Sequence, residues 1–434
     1  MAEYFQRKMY QYITVVIITL FSSATTAKTH QIKIVFAANM NEISSPDKSA
    51  FPQLSYLLKK HRNQTTPTFF FFGGGSIGPS MLSSFDRGSH IIDILNQIEP
   101  DVMGITRRDF SFTEDELSLR AYEAAFPVVS TNVIVRGTNE YLNGLVPYAI
   151  TQQGNYKIAV LSTLAIQTIE DYNLKYVSIL DKITTIKQQI QQIRKQEDVN
   201  FIVLLNTGIK HSLLPLLEDN SIDLIIQEDI DIKSKAEQPL PKHEKYVLLE
   251  QQDQITLITL SWDDNNIQAF KVKSELFPFS ELDQDQHIEL MVKNYESRLD
   301  NLLGEIIGVT ETSLNTQRQD VRKKENAFAN ILADSLKDYT SADIGFINGG
   351  TIRGETNYSA NHKITRRDII RELPYRNRIV LLELTGEQIR LAIEHGLSGT
   401  DRLLGRFMHV SGLKITFDPK RLTGQRIVSL IHKD

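Results

Sequence analysis

Between residues 32 and 226 short apolar runs alternate with amphipathic stretches, and this alternation restricts the fold more than any other feature. The runs Ile32–Ala37, Thr68–Phe72, Val128–Ser130, Lys157–Ser162, Phe201–Leu205 and Leu224–Ile226 have the length and composition of buried strands. Helical periodicity occupies Phe51–Lys60, His90–Ile98, Glu114–Ala125 and Ile179–Arg194 between them. Strand followed by helix, repeated, predicts a layered α/β domain. Chemistry in such folds collects at strand ends, so the residues just after each run are the ones to inspect.

The 434 residues leave room for two or three domains, each with its own core. A formal net charge of -5 argues against a nucleic-acid partner, because phosphate contacts need a concentrated basic surface. Residues 1–27 stand apart. Arg7 and Lys8 precede an apolar run, Ile13–Phe21, and small residues continue to Ala27, which is the order of a secretory signal peptide. An uncleaved anchor is the alternative, although the run is short for a membrane span and no other stretch approaches that length. With 0 cysteines the exported protein would hold together by packing, without disulfides or thiolate metal sites. A periplasmic or secreted location is the expectation.

Near the C-terminus an apolar strand, Ile344–Ile347, runs into Asn348, Gly349 and Gly350, with Arg353 close behind. Glycines let the backbone approach a ligand, and a guanidinium offers a planar fork of donors suited to phosphate or ribose oxygens. A Gly-Gly turn beside a solvated arginine is the plain alternative when those residues are taken alone. Further blocks follow in order: Leu373-Pro374-Tyr375-Arg376-Asn377, then Glu383-Leu384-Thr385-Gly386 with a helix to Glu394-His395-Gly396, then Gly405-Arg406-Phe407 and Val410-Ser411-Gly412-Leu413.

Together these blocks resemble the C-terminal domain of the 5'-nucleotidase family. The resemblance extends upstream to about residue 32 through Val129-Ser130-Thr131-Asn132-Val133, Val146-Pro147-Tyr148 and Gly154-Asn155-Tyr156-Lys157-Ile158-Ala159-Val160. It implies an N-terminal metallophosphoesterase-like αββα sandwich followed by an α/β 5'-nucleotidase C-terminal domain. The expected boundaries are 1–27 for the signal peptide, 28–282 for the first domain, 283–303 for an interdomain helix or linker and 304–434 for the nucleotide-binding domain. That last domain is expected to lack its final segment and, with it, a second stacking aromatic.

Two-metal phosphate ester hydrolysis needs ligands that hold the ions a few ångströms apart, commonly with a bridging carboxylate. The resemblance implies Asp-X-His, Gly-Asp, Gly-Asn-His-Glu, a histidine and Gly-His-X-His at successive strand ends. Here the first position carries Asn39 and Asn41, the second puts Gly75 in place of the bridging aspartate, and the third puts Arg107 and Arg108 where an asparagine and a histidine stand. The fifth strand ends at Thr207, and Asp229 and Asp231 replace the last two histidines. Amides are neutral and arginines repel metal ions, so the two-metal ligand set reads as lost. Asp229, Asp231 and His211 could form a makeshift single-ion site or a solvated acidic rim. Arg107 and Arg108 could instead add anion affinity.

By the same resemblance Arg322, Asn348, Arg353, Tyr375 and Asn377 contact substrate, with Arg322 on a helix Val321–Lys337 that also carries Glu325, Asn330 and Asp334. The ring of Tyr375 offers a face on which any nucleobase stacks. The expectation is an exported 5'-nucleotidase-like protein, impaired in catalysis, that retains binding of a nucleotide, nucleoside or phosphorylated small molecule. No cofactor is expected. A divalent metal (Mn, Zn, Mg or Ca) enters only under the alternative of an active metal-dependent 5'-nucleotidase. A second alternative is an inert remnant with a structural or partner-binding role.

Overall fold

The computed structural model describes residues 29–43, 51–208, 213–228, 243–249, 254–263, 266–375 and 377–432. The expected signal segment, together with His211, Asp229, Asp231 and Arg376, lies outside them. The chain divides into two compact units, one of residues up to Gly78 plus Ile91–Glu289 and the other of Pro79–His90 plus Leu290 onward. The excursion Pro79–His90 groups with the second unit, an exchange that linear boundaries do not contain.

The first unit is built from two sheets. One has seven strands in the spatial order Lys271–Pro278, Gln254–Asp263, Thr29–Ala37, Thr68–Phe72, Val102–Met103, Val128–Val129 and Leu145–Val146. The other has five, ordered Tyr246–Leu248, Leu224–Glu228, Phe201–Thr207, Tyr156–Thr163 and Tyr148–Gln153. Thr29–Ala37 is central, parallel to Thr68–Phe72 with Val35 opposite Phe70, and antiparallel to Gln254–Asp263 with Val35 opposite Leu257.

The alternation of strand side chains decides what each face touches. Phe69 and Phe71 turn inward with Ile34, Phe36 and Val129 against Ile158, Val160, Val203 and Leu205 of the second sheet. Phe72 meets Phe51 of the helix Phe51–Arg62, with ring centroids 6.5 Å apart. Ile186, Ile190 and Ile193, on one stripe of the helix Lys182–Gln196, cover Ala159, Leu161, Ile202 and Leu204 on the second sheet. Trp262 joins the sheets edge-on against Tyr156 and Phe201. Helix, sheet, sheet, helix is the order that the family resemblance implies for this domain.

Two local expectations are corrected, and one pair of strands is added. Ile179 ends a strand, Val177–Ile179, and the helix starts only at Lys182, because the Asp181 side chain accepts the Thr184 N–H and caps it there. The long strands Gln254–Asp263 and Lys271–Pro278 carry too many polar residues to declare themselves and are recruited by pairing with the central strand. The helix Val321–Lys337 is two helices, Arg318–Val321 and Ala327–Thr340, separated because Asn326 caps the second by accepting the Ala329 N–H.

In the second unit the strand pairs are Ile306–Val309 with Lys363–Thr365, Leu314–Asn315 with Asn357–Tyr358, Gly345–Asn348 with Met408–Ser411, and Leu413–Phe417 with Ile427–His432. One apolar cluster joins Ile393 and Leu397 of the helix Gly386–Leu397 to Phe407, Leu413 and Ile427. Another joins Val321, Phe328, Ala329 and Ile352. Among the described residues no helix is long and apolar enough to cross a membrane.

Candidate functional site

In the first unit the inspected strand ends converge. Asn39 leaves the strand Thr29–Ala37 in a left-handed conformation, φ 60, and is buried; its N–H donates to Gly74 O at 2.8 Å while its Oδ1 finds no partner. Gly75 is also left-handed, φ +74, and a Cβ there would lie 2.3 Å from Asn39 Oδ1. An aspartate at 75 would need a strained backbone and space that Asn39 already fills. Asn41 is half-buried.

The third strand end is organised by Asp109. Its buried carboxylate accepts four backbone N–H groups, from Gly75 at 2.7 Å, Thr106 at 2.8 Å, Ser76 at 3.1 Å and Ile77 at 3.2 Å. Burial pushes this carboxyl above its ordinary range, while the four donors pull the other way. Asp109 therefore pins the glycine turn. Arg107 is half-buried, and its guanidinium pairs with Asp171 at 3.3 Å. Arg108 stays near Tyr172, whose hydroxyl burial raises and the two arginines lower.

At the ends of the second sheet the polar groups bond mainly to one another. Thr207 Oγ1 donates to Thr163 O, and Thr163 Oγ1 donates to Asn206 Oδ1 at 2.9 Å. Lys182 Nζ donates to Asn206 Oδ1 at 2.8 Å and also to Thr207 O. Asn206 Nδ2 and the hydroxyl of Tyr246 both donate to Gln227 Oε1. Burial pushes Tyr246 up to about 12, so it stays a donor. Glu228, fully buried, was missed in the sequence because its strand was expected to end at Ile226. A Cβ on Gly73 would lie 1.8 Å from its Oε2, so its carboxylate sits on the glycine turn.

Among the described residues no three His, Cys, Asp or Glu side chains gather where they could hold one ion. The described positions offer two asparagines, a side-chain-free Gly75, the buried glutamate Glu228 and the buried Asp109, whose carboxylate is taken up by four backbone N–H groups. They do not fit a two-metal centre bridged by a carboxylate from the second strand.

In the second unit Arg322 is buried, with one guanidinium N–H donating to Leu403 O at 2.9 Å and Nε unpartnered. Burial first, then Arg318 and Arg353, lower its pKa. Asn348 Nδ2 donates to Gly405 O at 2.8 Å, and its Oδ1 accepts the Thr351 hydroxyl. The Arg353 guanidinium lies 5.6 Å from the Tyr375 ring centroid, a cation–π contact, and that ring is 52% exposed. Asn377 is exposed, its N–H donating to Tyr375 O at 3.0 Å. Arg322 is thus a loop residue between two helices, near Arg353 in electrostatic terms, and Arg353 and Tyr375 are brought together. Glu325 is paired with Asn330.

Glu372 was not singled out in the sequence. Completely buried, it accepts Thr316 Oγ1 and Tyr358 OH, each at 2.8 Å, and Gly354 N–H at 3.0 Å, while its own carbonyl takes the Arg353 N–H. Its position directly before Leu373-Pro374 was the available signal.

The two-sheet sandwich with outer helices, together with a second, α/β unit, is the architecture of two-domain proteins whose first domain is of the metallophosphoesterase fold. Residues 306–434 match the sequence model of the 5'-nucleotidase, C-terminal domain. The family match is confined to this C-terminal part, and over most of its length the chain is similar to 5'-nucleotidases. It is 24% identical over 348 residues to the trifunctional nucleotide phosphoesterase protein YfkN of Bacillus subtilis, matching 74% of this chain and 24% of that one. It is 20% identical over 377 residues to human 5'-nucleotidase, matching 79% of this chain and 66% of that one. The chain therefore spans about a quarter and about two thirds of these relatives. In fold it resembles a putative 5'-nucleotidase from Staphylococcus aureus, TM-score 0.66 at 15% identity, covering 92% of this chain and 86% of that one. It also resembles a 5'-nucleotidase precursor from Thermus thermophilus, TM-score 0.58 at 20% identity, covering 93% and 85%.

Proposed function

We propose that this chain is an exported 5'-nucleotidase-like protein that binds a nucleotide, nucleoside or phosphorylated small molecule in its C-terminal domain and no longer hydrolyses it by two-metal chemistry. The binding reading rests on Arg322, Asn348, Arg353, Tyr375 and Asn377. Its principal support is the juxtaposition of Arg353 with the half-exposed Tyr375 ring, a cation beside an aromatic face that a nucleobase can cover. The loss of hydrolysis is supported by Gly75, which supplies no carboxylate and whose Cβ would lie 2.3 Å from Asn39 Oδ1. Export is supported by Arg7 and Lys8 ahead of the apolar run Ile13–Phe21.

A second reading, hydrolysis with unconventional ligands, draws on Glu228, the buried carboxylate on the glycine turn. Phosphate release from a panel of nucleoside monophosphates, with manganese or zinc added and EDTA as control, separates the two. The expected result is no turnover above the EDTA background. Metal-dependent turnover abolished in Glu228→Gln would establish the second reading instead.

A further inference from the structure

Three segments far apart in sequence meet beside Arg322. The short helix Arg318–Val321 ends immediately before it, and Gly349 packs so closely on Val321 that a Cβ there would lie 1.9 Å from the Val321 carbonyl oxygen. Gly349 N–H donates to Phe407 O at 2.8 Å and Gly350 N–H to Gly405 O at 2.7 Å, which ties the glycine turn to the segment 403–409. The Arg322 guanidinium carbon lies 3.9 Å from a Cβ built on Gly405.

One side chain crosses this junction. His409, on the strand Met408–Ser411 opposite Ile347, is 2% exposed, and its Nε2 lies 2.8 Å from Val321 O. A carbonyl can only accept, so Nε2 carries the proton and Nδ1, buried without a partner, does not. Burial favours this neutral form by lowering the ring's pKa, and the opposing influences are the Val321 carbonyl and the charge of Glu325, on the segment before the helix Ala327–Thr340.

We propose that His409 is a positioning residue of the ligand pocket. Its Nε2–H fixes the Val321 carbonyl, and through that single peptide unit it sets where the Arg322 backbone starts and hence where the guanidinium lies. The inference rests on the reading that Arg322 contacts the ligand. His409 itself touches no ligand, and its effect passes through Arg322.

AMP is the probe, titrated calorimetrically into the full chain. His409→Leu fills similar space without a donor, His409→Gln presents an amide N–H at comparable reach, and His409→Asn is too short to span the gap. The one hydrogen bond that a displaced Arg322 guanidinium no longer makes to the ligand corresponds to a drop in affinity of about tenfold. The expected order is wild type close to His409→Gln, with His409→Leu and His409→Asn about tenfold weaker. Rescue by glutamine alone is the signature that a general packing role would not give. If His409→Leu melts below the assay temperature, the Gln and Asn pair decides, and equal affinities for those two overturn the proposal. Arg322→Ala is the control for the parent reading. If it abolishes AMP binding while His409→Asn binds like wild type, only the positioning role fails; if it leaves binding unchanged, the pocket assignment and the role of His409 fall together.

Discussion

His61 and His409 are both buried, and burial is the largest cause holding each below the ordinary imidazole range; for His61 the ammonium groups of Lys33 and Lys60 add to it. The unfolded chain therefore takes up these protons at higher pH than the folded one does. Stability from this source is complete above about pH 6.5 and declines as the pH falls below that value toward the lowered folded pKa values. Urea denaturation at pH 7.5, 6.5 and 5.5 should show decreasing stability, with a shallower decrease in His61→Gln and in His409→Gln. An unchanged slope in both variants would mean that other groups carry the effect. Neither histidine could be assigned from sequence, because burial and the Val321 carbonyl are supplied by residues distant along the chain. Arg353 and Tyr375 were legible because they sit within ordered blocks.

At the scale of elements, the carboxyl ends of the second sheet are tied together by the first residue of a helix. Lys182 enters the bond network of Asn206, Thr207 and Gln227 from the start of Lys182–Gln196. Lys182→Met would leave the Thr207 carbonyl without that donor, at a cost of about 1–3 kcal/mol for a buried group deprived of its partner. A denaturant midpoint equal to that of the wild type, at unchanged slope, would show that the network does not depend on the ammonium. The helix boundary at Asp181 was missed because periodicity alone ran on through Ile179, a residue claimed by a strand. A different element stands out in the C-terminal unit. Ile379, Val380, Leu381 and Leu382 are each more than half exposed, and no strand is assigned across them. An exposed apolar run of this kind is a liability for association with other chains.

For the whole molecule, the lost-metal reading makes a thermodynamic prediction separate from turnover. A resident ion present at a hundred times its dissociation constant stabilises a fold by about 2.7 kcal/mol. Melting curves in EDTA and in millimolar manganese or zinc should therefore superimpose. A midpoint raised by either metal and lowered by chelation would place an ion in the folded protein and overturn the reading. The sequence by itself determined the layered α/β architecture, because alternating apolar runs and amphipathic stretches can bury their faces in few other ways. It also determined the family blocks around Asn348, Arg353 and Tyr375, since these are contiguous in the chain. Only the tertiary structure decided that Asn39 fills the space over Gly75, that Glu228 and Asp109 bear on one glycine turn, and that His409 reaches Val321. Those contacts join strand ends and loops separated by 34 (Gly75 to Asp109) to 155 residues (Gly73 to Glu228), and local patterning holds no record of which distant group will occupy a given space.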